Sequence, residues 1–470
     1  MSENAKDKQQ SKSSLPSGKG WGWADGLYFI GIGGIGMSAL ARYFVKSGVP
    51  VSGYDKTKSE ITDTLENLGI SIHFKDNISV IDSQFLEPTK TTVIYTPAIP
   101  KDHVQLNYFK DSGFKILKRS EVLGEITVNT FCLAIAGTHG KTTTTSILGH
   151  LLNEANVEVT AFLGGISENY YSNLILNGTK VTVVEADEFD RSFLTLSPDY
   201  ACITSMDADH LDIYGDRSEL QKSFNEFAGK VKSEGKLFVS NGLPLDGITY
   251  GVNDGADYSA KNIRIENGSY LFDVKTPKGT LENFSFSLPG RHNLSNAMAA
   301  LAMALEFGVD HQILKHALST YKGVKRRFSY QIKTNDLVYI DDYAHHPAEI
   351  DAVHQAVREM YPNQRVMVIF QPHLFSRTKD FGDEFAKSLS QFDEIALLEI
   401  YPARELPIEG IDAKWLLGKI SNDDKVLIDK KEILTAIGNS SAKVILTLGA
   451  GDIGEEVKHI KKALRLANKL

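Results

Sequence analysis

Two glycine-rich loops, each directly after an apolar segment, constrain this chain of 470 residues more than any other feature. In the later loop, the apolar segment 131–136 runs into GTHGKT at 137–142, and a helical pattern continues through Leu152. Strand, glycine loop, Lys-Thr and helix in this order form the P-loop arrangement, in which backbone N–H groups surround phosphates. Ile135 stands where the full pattern has its first glycine. The segment still predicts a triphosphate site.

The side chains of this loop suit phosphoryl chemistry. Lys141 offers a positive charge to the terminal phosphate oxygens, and the Thr142 hydroxyl can ligate Mg²⁺. Glu185 ends the apolar strand 181–184, and carboxylates at strand ends beside a P-loop usually hold magnesium. His210 follows the next strand and is a weaker candidate ligand, because Mg²⁺ prefers oxygen. The predicted nucleotide-contacting residues of the loop are Gly137, Thr138, His139, Gly140, Lys141, Thr142 and Thr143.

The earlier loop follows the apolar segment 27–30 and reads GIGGIGMS at 31–38. It satisfies G-x-G-x-x-G between a strand and a helix, and Asp55 ends the next strand, where an acid can bind a ribose hydroxyl. A tight turn that packs a helix on a sheet is the alternative, and the loop alone does not separate NAD from another nucleotide diphosphate. The candidate binding residues are Gly31, Gly33, Gly34, Ile35, Gly36, Met37 and Asp55.

Two phosphate sites in one chain argue against a nicotinamide-dependent dehydrogenase. Such an enzyme needs one dinucleotide site and a hydride acceptor, and it has no use for a Lys-Thr cradle around a terminal phosphate.

Short apolar segments alternate with helical periodicity along the whole chain, which predicts an α/β fold with parallel sheets. The length suggests roughly three domains. We place them at 26–125, 126–330 and 331–470, after a Ser/Lys/Gln-rich tail at 1–25 that we expect to be disordered. The turn-rich stretch 242–288 favours β-hairpins.

Composition excludes several classes of protein. The chain has 51 Lys and Arg against 59 Asp and Glu, a net charge of −8, so it lacks the basic footprint of nucleic-acid binding. No segment approaches the roughly 18 apolar residues of a membrane span, and the N-terminus has no apolar leader. Two cysteines, Cys132 and Cys202, lie in apolar segments and make no disulfide framework. We expect a cytoplasmic protein.

Polar side chains cluster at three further places. Asn293 and Asn296 precede an alanine-rich helix, where they can cap it or bind a base. The pair RR at 326–327 ends the predicted second domain, and DDYAHHP at 341–347 ends a strand of the third. Zinc is a weak alternative at the two histidines, because no third nitrogen or sulfur ligand stands at metal spacing. His373, Arg377 and Arg404 follow two more strands and are candidates for binding a carboxylate.

Taken together, these motifs resemble the Mur ligase family, and the resemblance covers all three predicted domains in order. The motifs that carry it are GIGGIGMS at 31–38, AGTHGKTTTT at 136–145, EADEFDRSFL at 185–194, DADHLDIYGD at 207–216, GRHNLSNAMAA at 290–300, RRF at 326–328, DDYAHHPAEI at 341–350, QPHLFSRT at 371–378, YPARE at 401–405 and GAGDI at 449–453.

The resemblance implies a Rossmann-like domain for a UDP sugar, a central P-loop ATPase-type domain and a Rossmann-like C-terminal domain that helps bind ATP and the amino acid. It implies that ATP, with Mg²⁺, activates the lactyl carboxylate of UDP-N-acetylmuramate as an acyl phosphate, which L-alanine then attacks. Two alternatives stay open: a ligase that reattaches recycled murein tripeptide to the same sugar, and a nucleotide-binding regulator without turnover. The oligomeric state stays open too.

The resemblance also implies roles for single residues. Lys141 and Thr142 match the phosphate loop, and Glu185 and His210 match magnesium ligands. Asn293 and Asn296 match residues that contact adenine, and Arg327 and Asp341 match residues that contact ATP phosphate and ribose. The residues implied in catalysis are Lys141, His139 near the UDP-sugar carboxylate, and His346, His373 and Arg377 facing the amino acid.

Overall fold

A computed structural model describes residues 25–206, 217–266, 268–403 and 405–467, which form two compact units. The first unit holds the chain up to Ile166, Tyr170–Thr249 and Ala299–Leu314; the second holds Ser167–Asn169, Tyr250–Met298 and the chain from Lys315. The tail at 1–24 and the segment 207–216 lie outside the described residues, and so do the predictions made for them.

The first unit opens with a sheet of five parallel strands in the order β3-β2-β1-β4-β5. Strand order reverses direction beside β1, and such a switch point opens a crevice at the carboxyl ends of the strands. The loop 31–34 leaves β1 at this edge. The elements are β1 Gly26–Ile30, α1 Ile35–Lys46, β2 Val51–Tyr54, α2 Glu60–Glu66, β3 Ser71–His73, β4 Thr91–Tyr95, α3 Val104–Asp111, β5 Lys115–Lys118 and α4 Arg119–Val128.

A second set of strands in this unit follows the order β11-β10-β6-β9-β7-β8. The strand that leads into the P-loop, β6, lies between β9 and β10 and is parallel to both, so the chain segments after all three meet at one edge. The elements are β6 Phe131–Ala136, α5 Lys141–Glu154, β7 Val159–Ser167, β8 Ser172–Leu176, β9 Val181–Glu185, β10 Tyr200–Ile203, α6 Arg217–Ala228 and β11 Lys236–Ser240.

The second unit contains a meander and a sheet. Strands β13, β14 and β15 pair antiparallel, which confirms the hairpins predicted there, whereas β12 pairs parallel to β13. The sheet has the order β16-β17-β21-β18-β19-β20, with β16 alone antiparallel to its neighbour among these described strands. The strands are β12 Ile248–Val252, β13 Tyr258–Glu266, β14 Ser269–Thr276, β15 Gly279–Phe286, β16 Ser329–Lys333, β17 Val338–Asp342, β18 Val366–Phe370, β19 Glu394–Leu397, β20 Lys425–Leu427 and β21 Val444–Leu448.

Helices cover both faces of this last sheet, as its two separate clusters of buried apolar residues require. Helices α7 and α8 have residues in both units. The helices are α7 Arg291–Phe307, α8 His311–Thr320, α9 Pro347–Met360, α10 Phe375–Asp380, α11 Gly382–Leu389, α12 Ala413–Lys419, α13 Ile433–Asn439 and α14 Ile453–Ala467.

One continuous hydrophobic core joins the two sheets of the first unit. It contains Leu40 and Phe44 of α1 together with Phe162 of β7 and Leu174 of β8, all of them buried. Burial of such side chains stabilises a fold by about 1.5–3 kcal/mol each, so the packing of α1 against the second sheet is strongly favoured.

A buried side-chain amide also fixes the position of α1 against the second sheet. The side chain of Asn173 on β8 is fully buried, and its Nδ2 donates to the carbonyl oxygen of Ile35 over 2.6 Å and to Oγ of Ser38 over 2.8 Å. Both acceptors belong to the first turn of α1. Because a buried donor needs its acceptors, Asn173 determines where the glycine loop lies relative to the P-loop sheet.

The α/β fold and the parallel sheets predicted from periodicity are confirmed, and β1, β6 and β9 end within one residue of the predicted apolar segments 27–30, 131–136 and 181–184. The short strands β3 and β20 and the antiparallel β16 carry too few apolar residues to be recognised from the sequence. Within the described residues, no helix combines the length and apolarity needed to traverse a bilayer.

We expect Asn173→Leu to lower the free energy of unfolding by about 1–3 kcal/mol, because an isosteric apolar side chain leaves two acceptors of α1 without their donor. Urea denaturation monitored by circular dichroism measures this loss. Asn177→Leu is the matched control, because its exposed Nδ2 donates to the Val157 carbonyl at the surface, and we expect it to change stability by less than about 0.5 kcal/mol. Equal losses in the two variants would contradict the role of Asn173.

Candidate functional site

A cavity of about 430 Å³ lies in the first unit where the two glycine-rich loops meet their helices. It is lined by the start of α1, the start of α5, the middle of β7 and the end of β9. The lining residues that bear on chemistry are Gly34, Ile35, Gly36, Met37, Arg119, Lys141, Thr142, Gly164, Glu185 and Asp187.

The P-loop has the backbone geometry that its glycines predict. Gly137 has a φ of 135° and Gly140 a φ of 84°, both in the region that favours glycine. A Cβ on Gly137 would lie 2.1 Å from Oγ1 of Thr204, so this residue also has no room for a side chain. Ser205 supports the loop from the same segment, since its Oγ accepts from the His139 backbone N–H over 2.8 Å. Thr204 and Ser205 were not predicted as functional residues.

Helix α5 begins directly after this loop, and no side chain caps its first turn. Its orphan N–H groups and the positive end of its dipole therefore suit an anion. Thr143 is buried under the helix, whereas Lys141 and Thr142 line the cavity.

Lys141 is held by the loop and by one carboxylate. Its Nζ donates to the Gly137 carbonyl oxygen over 2.6 Å and lies 2.9 Å and 2.8 Å from the two carboxylate oxygens of Glu188, whose side chain is 0% exposed. A charged pair of this kind stabilises a buried carboxylate that would otherwise be costly to desolvate.

Thr142 and Glu185 meet as predicted. Oγ1 of Thr142 donates a hydrogen bond to Oε1 of Glu185 over 2.5 Å. Two oxygen atoms of the kind that ligate a metal ion therefore lie together, one at the end of β9 and one at the end of the P-loop. A Cβ on Gly164 of β7 would lie only 1.7 Å from the other carboxylate oxygen, so any side chain there would displace the Glu185 carboxylate. No other signal in the sequence marks Gly164.

The glycine loop after β1 is hydrogen-bonded to Asp55, the acid that belongs to its motif. Oδ2 of Asp55 accepts from the Gly33 backbone N–H over 2.8 Å, and Oδ1 accepts from the Thr57 N–H over 3.1 Å. Asp55, Gly31 and Gly33 do not line the cavity, although Gly34, Ile35, Gly36 and Met37 do. The observed contacts make Asp55 a support of the loop, and its binding of a ribose stays a prediction.

Arg119 is a cavity residue that the sequence analysis missed. It begins α4 directly after β5, and a Cβ on Gly36 would lie 2.8 Å from its Nη1. Its guanidinium is 3.9 Å from the Asp187 carboxylate across the cavity. The signal was available, because Arg119 follows a parallel strand in the same way as Glu185 does.

In the second unit, the predicted asparagines lie one turn apart at the start of α7. Asn293 and Asn296 are both nearly buried, and Nδ2 of Asn293 donates to the Pro289 carbonyl over 2.6 Å. Residues three apart share one helix face, so the two amides lie side by side.

The carboxyl edge of the sheet in this unit contains a buried ion pair. Nε of Arg326 donates to Oδ2 of Asp341 over 3.2 Å, and the Thr447 hydroxyl donates to Oδ1 over 2.9 Å. Burial raises the pKa of Asp341, and the Arg326 charge opposes that rise. The guanidinium groups of Arg326 and Arg327 both lie over the Tyr343 ring, 5.1 Å and 5.5 Å from its centroid.

The predicted His373 lies near His345, the residue before the predicted His346. The rings of His345 and His373 are 6.0 Å apart, and His373 stacks on Tyr401 at 5.8 Å. Desolvation, with the nearby charges of His345 and Arg377, lowers the pKa of His373 to about 4. His346 caps α9, because its Nδ1 accepts from the Ala348 N–H over 3.4 Å.

Two buried atoms of this cluster have no hydrogen-bond partner among the described residues, namely Nδ1 of His373 and Nη1 of Arg377. Buried polar atoms are normally satisfied, so these two nitrogens are available to a water molecule or a polar ligand.

The structure thus brings part of the predicted site together in one cavity, namely Gly34, Ile35, Gly36, Met37, Lys141, Thr142 and Glu185. His139 does not line this cavity, although its backbone belongs to the P-loop. His210 and Arg404 lie outside the described residues. Within the residues that are described, no group of three His, Cys, Asp or Glu side chains is arranged to hold a metal.

Comparison with known proteins agrees with this architecture. Residues 26–130 match the Mur ligase family catalytic domain, residues 135–304 the Mur ligase middle domain, and residues 326–464 the Mur ligase glutamate ligase domain. This chain belongs to the Mur ligase family. The resemblance inferred from the motifs is therefore confirmed, as are the three-domain content and the α/β class.

Individual Mur ligases are similar over nearly the whole chain. UDP-N-acetylmuramate–L-alanine ligase of Christiangramia forsetii is 62% identical over 93% of this chain and 97% of its own length. The crystal structure of UDP-N-acetylmuramate–alanine ligase from Thermotoga maritima has a TM-score of 0.81 at 28% identity and covers 94% of this chain and 99% of its own. A murein peptide ligase from Psychrobacter arcticus, with a TM-score of 0.66 at 23% identity over 93% of this chain and 98% of its own, shares the fold.

We expect Gly164→Ala to lower ATP turnover of this Mur ligase about 100-fold while the fold persists. The new methyl group displaces the flexible end of Glu185 from Thr142, and a misplacement of about 1 Å in an active site can cost this much. Gly418→Ala is the control, because a Cβ there meets no atom within 4 Å. Phosphate release from both variants tests the expectation, and equal turnover would contradict it.

A second expectation concerns pH. At a pH between about 4, the pKa of His373 in the folded protein, and about 6.5, the ordinary histidine pKa, this side chain is protonated in the unfolded chain but neutral in the folded protein. The free energy of unfolding therefore falls as the pH falls through this range. We expect the thermal midpoint of the native protein to drop more between pH 7.5 and pH 5 than that of His373→Gln. His345, whose pKa is also lowered by burial, is present in both proteins. An equal drop in thermal midpoint for the two proteins would contradict the lowered pKa of His373.

Proposed function

We propose that this chain is a UDP-N-acetylmuramate–L-alanine ligase, which uses ATP to form an amide bond in peptidoglycan precursor synthesis. The observation that carries the proposal is the single cavity onto which two anion-binding helix starts open. One suits the triphosphate and the other the diphosphate of the sugar nucleotide. A nicotinamide-dependent dehydrogenase needs one dinucleotide site and would not need the second helix start.

The chemistry proceeds in two steps. A lactyl carboxylate oxygen attacks the γ-phosphorus of ATP, an O–P bond forms, the bond from this phosphorus to the bridging oxygen breaks, and ADP leaves. The amine of L-alanine then attacks the acyl carbon, the C–O bond to phosphate breaks, inorganic phosphate leaves, and the amine gives up its proton. Positioning and charge stabilisation supply most of the catalysis, as in other phosphoryl transfers.

The cavity holds the cationic side chains that this reaction needs. Arg119 and Lys141 both line it and suit the carboxylate and the γ-phosphate, which repel each other in solution. The carboxylates of Glu185 and Asp187 line it as well. Two cations therefore do not neutralise ATP and a sugar nucleotide together, and a divalent cation is required.

The residues present fit Mg²⁺. Thr142 and Glu185 place two oxygen donors 2.5 Å apart, and Mg²⁺ prefers oxygen and takes few ligands from the protein beside phosphates and water. When bound, the ion neutralises charge that develops on the phosphate oxygens. We assign it to Thr142 and Glu185, with His210 as the further ligand predicted from the sequence.

We assign the carboxylate of L-alanine to His373 and Arg377, whose buried Nδ1 and Nη1 atoms lack protein partners in the described part of the chain. Arg377 supplies the charge, and His373 is neutral at pH 7 because its pKa is about 4. Asn293 and Asn296 are assigned to adenine, and Arg327 and Asp341 to the phosphate and ribose of ATP. The murein-tripeptide ligase is the second candidate, because a protein of that kind shares this fold.

We expect ADP to form with UDP-N-acetylmuramate and L-alanine together, and Lys141→Ala to abolish it while binding of the UDP sugar persists. Removal of the ammonium takes away the charge that offsets the phosphates. A coupled assay measures ADP, and calorimetry measures binding of the UDP sugar. Near-normal turnover in the variant would refute the role of Lys141.

The same assay separates the alternatives. ADP that appears only with the tripeptide L-alanyl-γ-D-glutamyl-diaminopimelate would favour the recycling ligase. No ADP with either amine, despite tight ATP binding, would favour a regulator without turnover. Tight binding of NADH and none of the UDP sugar would overturn the whole assignment.

A further inference from the structure

The start of α7, which carries the asparagines assigned to adenine, is hydrogen-bonded to a buried tyrosine. Tyr270 on β14 is 0% exposed, and its hydroxyl accepts from the Gly290 backbone N–H over 3.0 Å. The same hydroxyl donates to Oε2 of Glu359 on α9. All three residues belong to the second unit. The mechanism proposed above gives no role to Tyr270 or Glu359.

The direction of these hydrogen bonds follows from the chemistry of the groups. Burial, together with the carboxylate of Glu359, raises the pKa of Tyr270, so the hydroxyl keeps its single proton. A carboxylate only accepts, so Oε2 of Glu359 takes the hydrogen bond from that proton, while Oε1 accepts from Nε of Arg291 over 2.9 Å. The lone pairs of the Tyr270 hydroxyl are therefore left to the Gly290 N–H.

One peptide group connects this tyrosine to Asn293. The peptide group that joins Pro289 to Gly290 supplies the N–H that binds Tyr270. The carbonyl oxygen of the same peptide group accepts from Nδ2 of Asn293 over 2.6 Å. We call this series, from Glu359 through Tyr270 and the 289–290 peptide to the side-chain amide, the Asn293 hydrogen-bond chain.

The last of these contacts fixes which way the Asn293 amide points. A carbonyl oxygen can pair only with the NH2 end of an amide, so rotation of the side chain by 180° would place two oxygens against each other. Asn293 is only 5% exposed, and the rotation would deprive the Pro289 carbonyl of its donor in a buried place, which is costly. Oδ1 is therefore held away from this peptide, and one proton of Nδ2 remains for a ligand.

An amide in a fixed orientation distinguishes adenine from guanine. Adenine has an amino group at N6 and an acceptor at N7, which match the oxygen and one N–H of an amide. Guanine has acceptors at both O6 and N7, so its O6 would meet the amide oxygen. A fixed amide therefore favours adenine, whereas an amide that rotates freely can bind either base.

We propose that Tyr270 and Glu359 are positioning residues that fix the Asn293 amide and so make the enzyme select ATP over GTP. The inference rests on the proposed function, in which Asn293 contacts adenine. It assigns nucleotide specificity to two residues that act only through Asn293.

Tyr270→Phe tests the proposal. It keeps the ring in the core and removes the hydroxyl, so the 289–290 peptide loses the acceptor of its N–H and the amide can rotate. A well-placed amide contact discriminates between bases by about tenfold to a hundredfold, so we expect a native kcat/KM for ATP at least about tenfold above that for GTP. In the variant we expect this ratio to fall at least about fivefold. Release of ADP or GDP with UDP-N-acetylmuramate and L-alanine measures the ratio.

The ratio separates positioning from mere structural support. A variant that is only less stable loses active enzyme, which lowers turnover with both nucleotides equally and leaves the ratio unchanged. Glu359→Ala is a second variant, which retains Tyr270 and carries the test if Tyr270→Phe does not fold. It removes the acceptor of the hydroxyl proton, so we expect the ratio to fall in the same direction. KM for L-alanine should not change in either variant.

Asn293→Ala shows whether the effect passes through the amide. We expect this variant to lower the ratio by itself, and Tyr270→Phe to produce no further change in its background. A further fall of the ratio in the double variant would overturn the inference, because Tyr270 would then act by another route.

Tyr361→Phe is the matched control. Tyr361 directly follows α9, and its hydroxyl donates to the Tyr330 hydroxyl over 3.1 Å, outside the Asn293 hydrogen-bond chain, so we expect an unchanged ratio. An unchanged ratio in Tyr270→Phe, or a native protein that uses GTP as readily as ATP, would also overturn the inference. No turnover of either nucleotide by the native protein with both co-substrates would instead overturn the proposed function.

Discussion

The start of α1 and the start of α5 face one cavity, and the site depends on that arrangement. Each helix start offers unpaired N–H groups and a positive dipole end, and neither is useful for group transfer unless the other is near. The buried amide of Asn173 and the shared apolar core hold α1 against the second sheet. The distance between the two anion sites is therefore built into the packing of the first unit.

Charge is balanced closely inside this cavity. Arg119 and Lys141 lie among three carboxylates, those of Glu185, Asp187 and the buried Glu188, so the side chains here carry no excess of positive charge. Cations that were fully exposed to each other would bind phosphates tightly and release them slowly. Carboxylates at strand ends moderate this attraction and provide the oxygen donors that a magnesium ion prefers. Glycines at 36, 137 and 164 keep the space that these side chains occupy.

The sequence analysis recovered the loops and missed the residues that hold them. Glycine loops and the strand-end acid Glu185 carry local patterns, so they were predicted with their correct elements. Gly164 and Asn173 have no such pattern, because their roles come from segments far apart in the chain. Arg119 and Glu188 do follow strands, but their partners lie far away in the sequence. Asp55 does belong to a motif, and its carboxylate accepts hydrogen bonds from Gly33 and Thr57, while the ribose contact that the motif predicts stays a prediction.

The sequence by itself determined the α/β class, the two phosphate loops, the order of motifs along the chain and the family. These features depend on periodicity and on glycine, lysine and acid at short spacing, which are local properties of a chain. Only the tertiary structure decided that both loops open on one cavity, that Glu188 is buried against Lys141, and that Arg119 lines the same cavity as the P-loop lysine. The reason is physical: burial and pairing of charges arise when distant strands pack, and no local pattern records which distant side chain will be the partner.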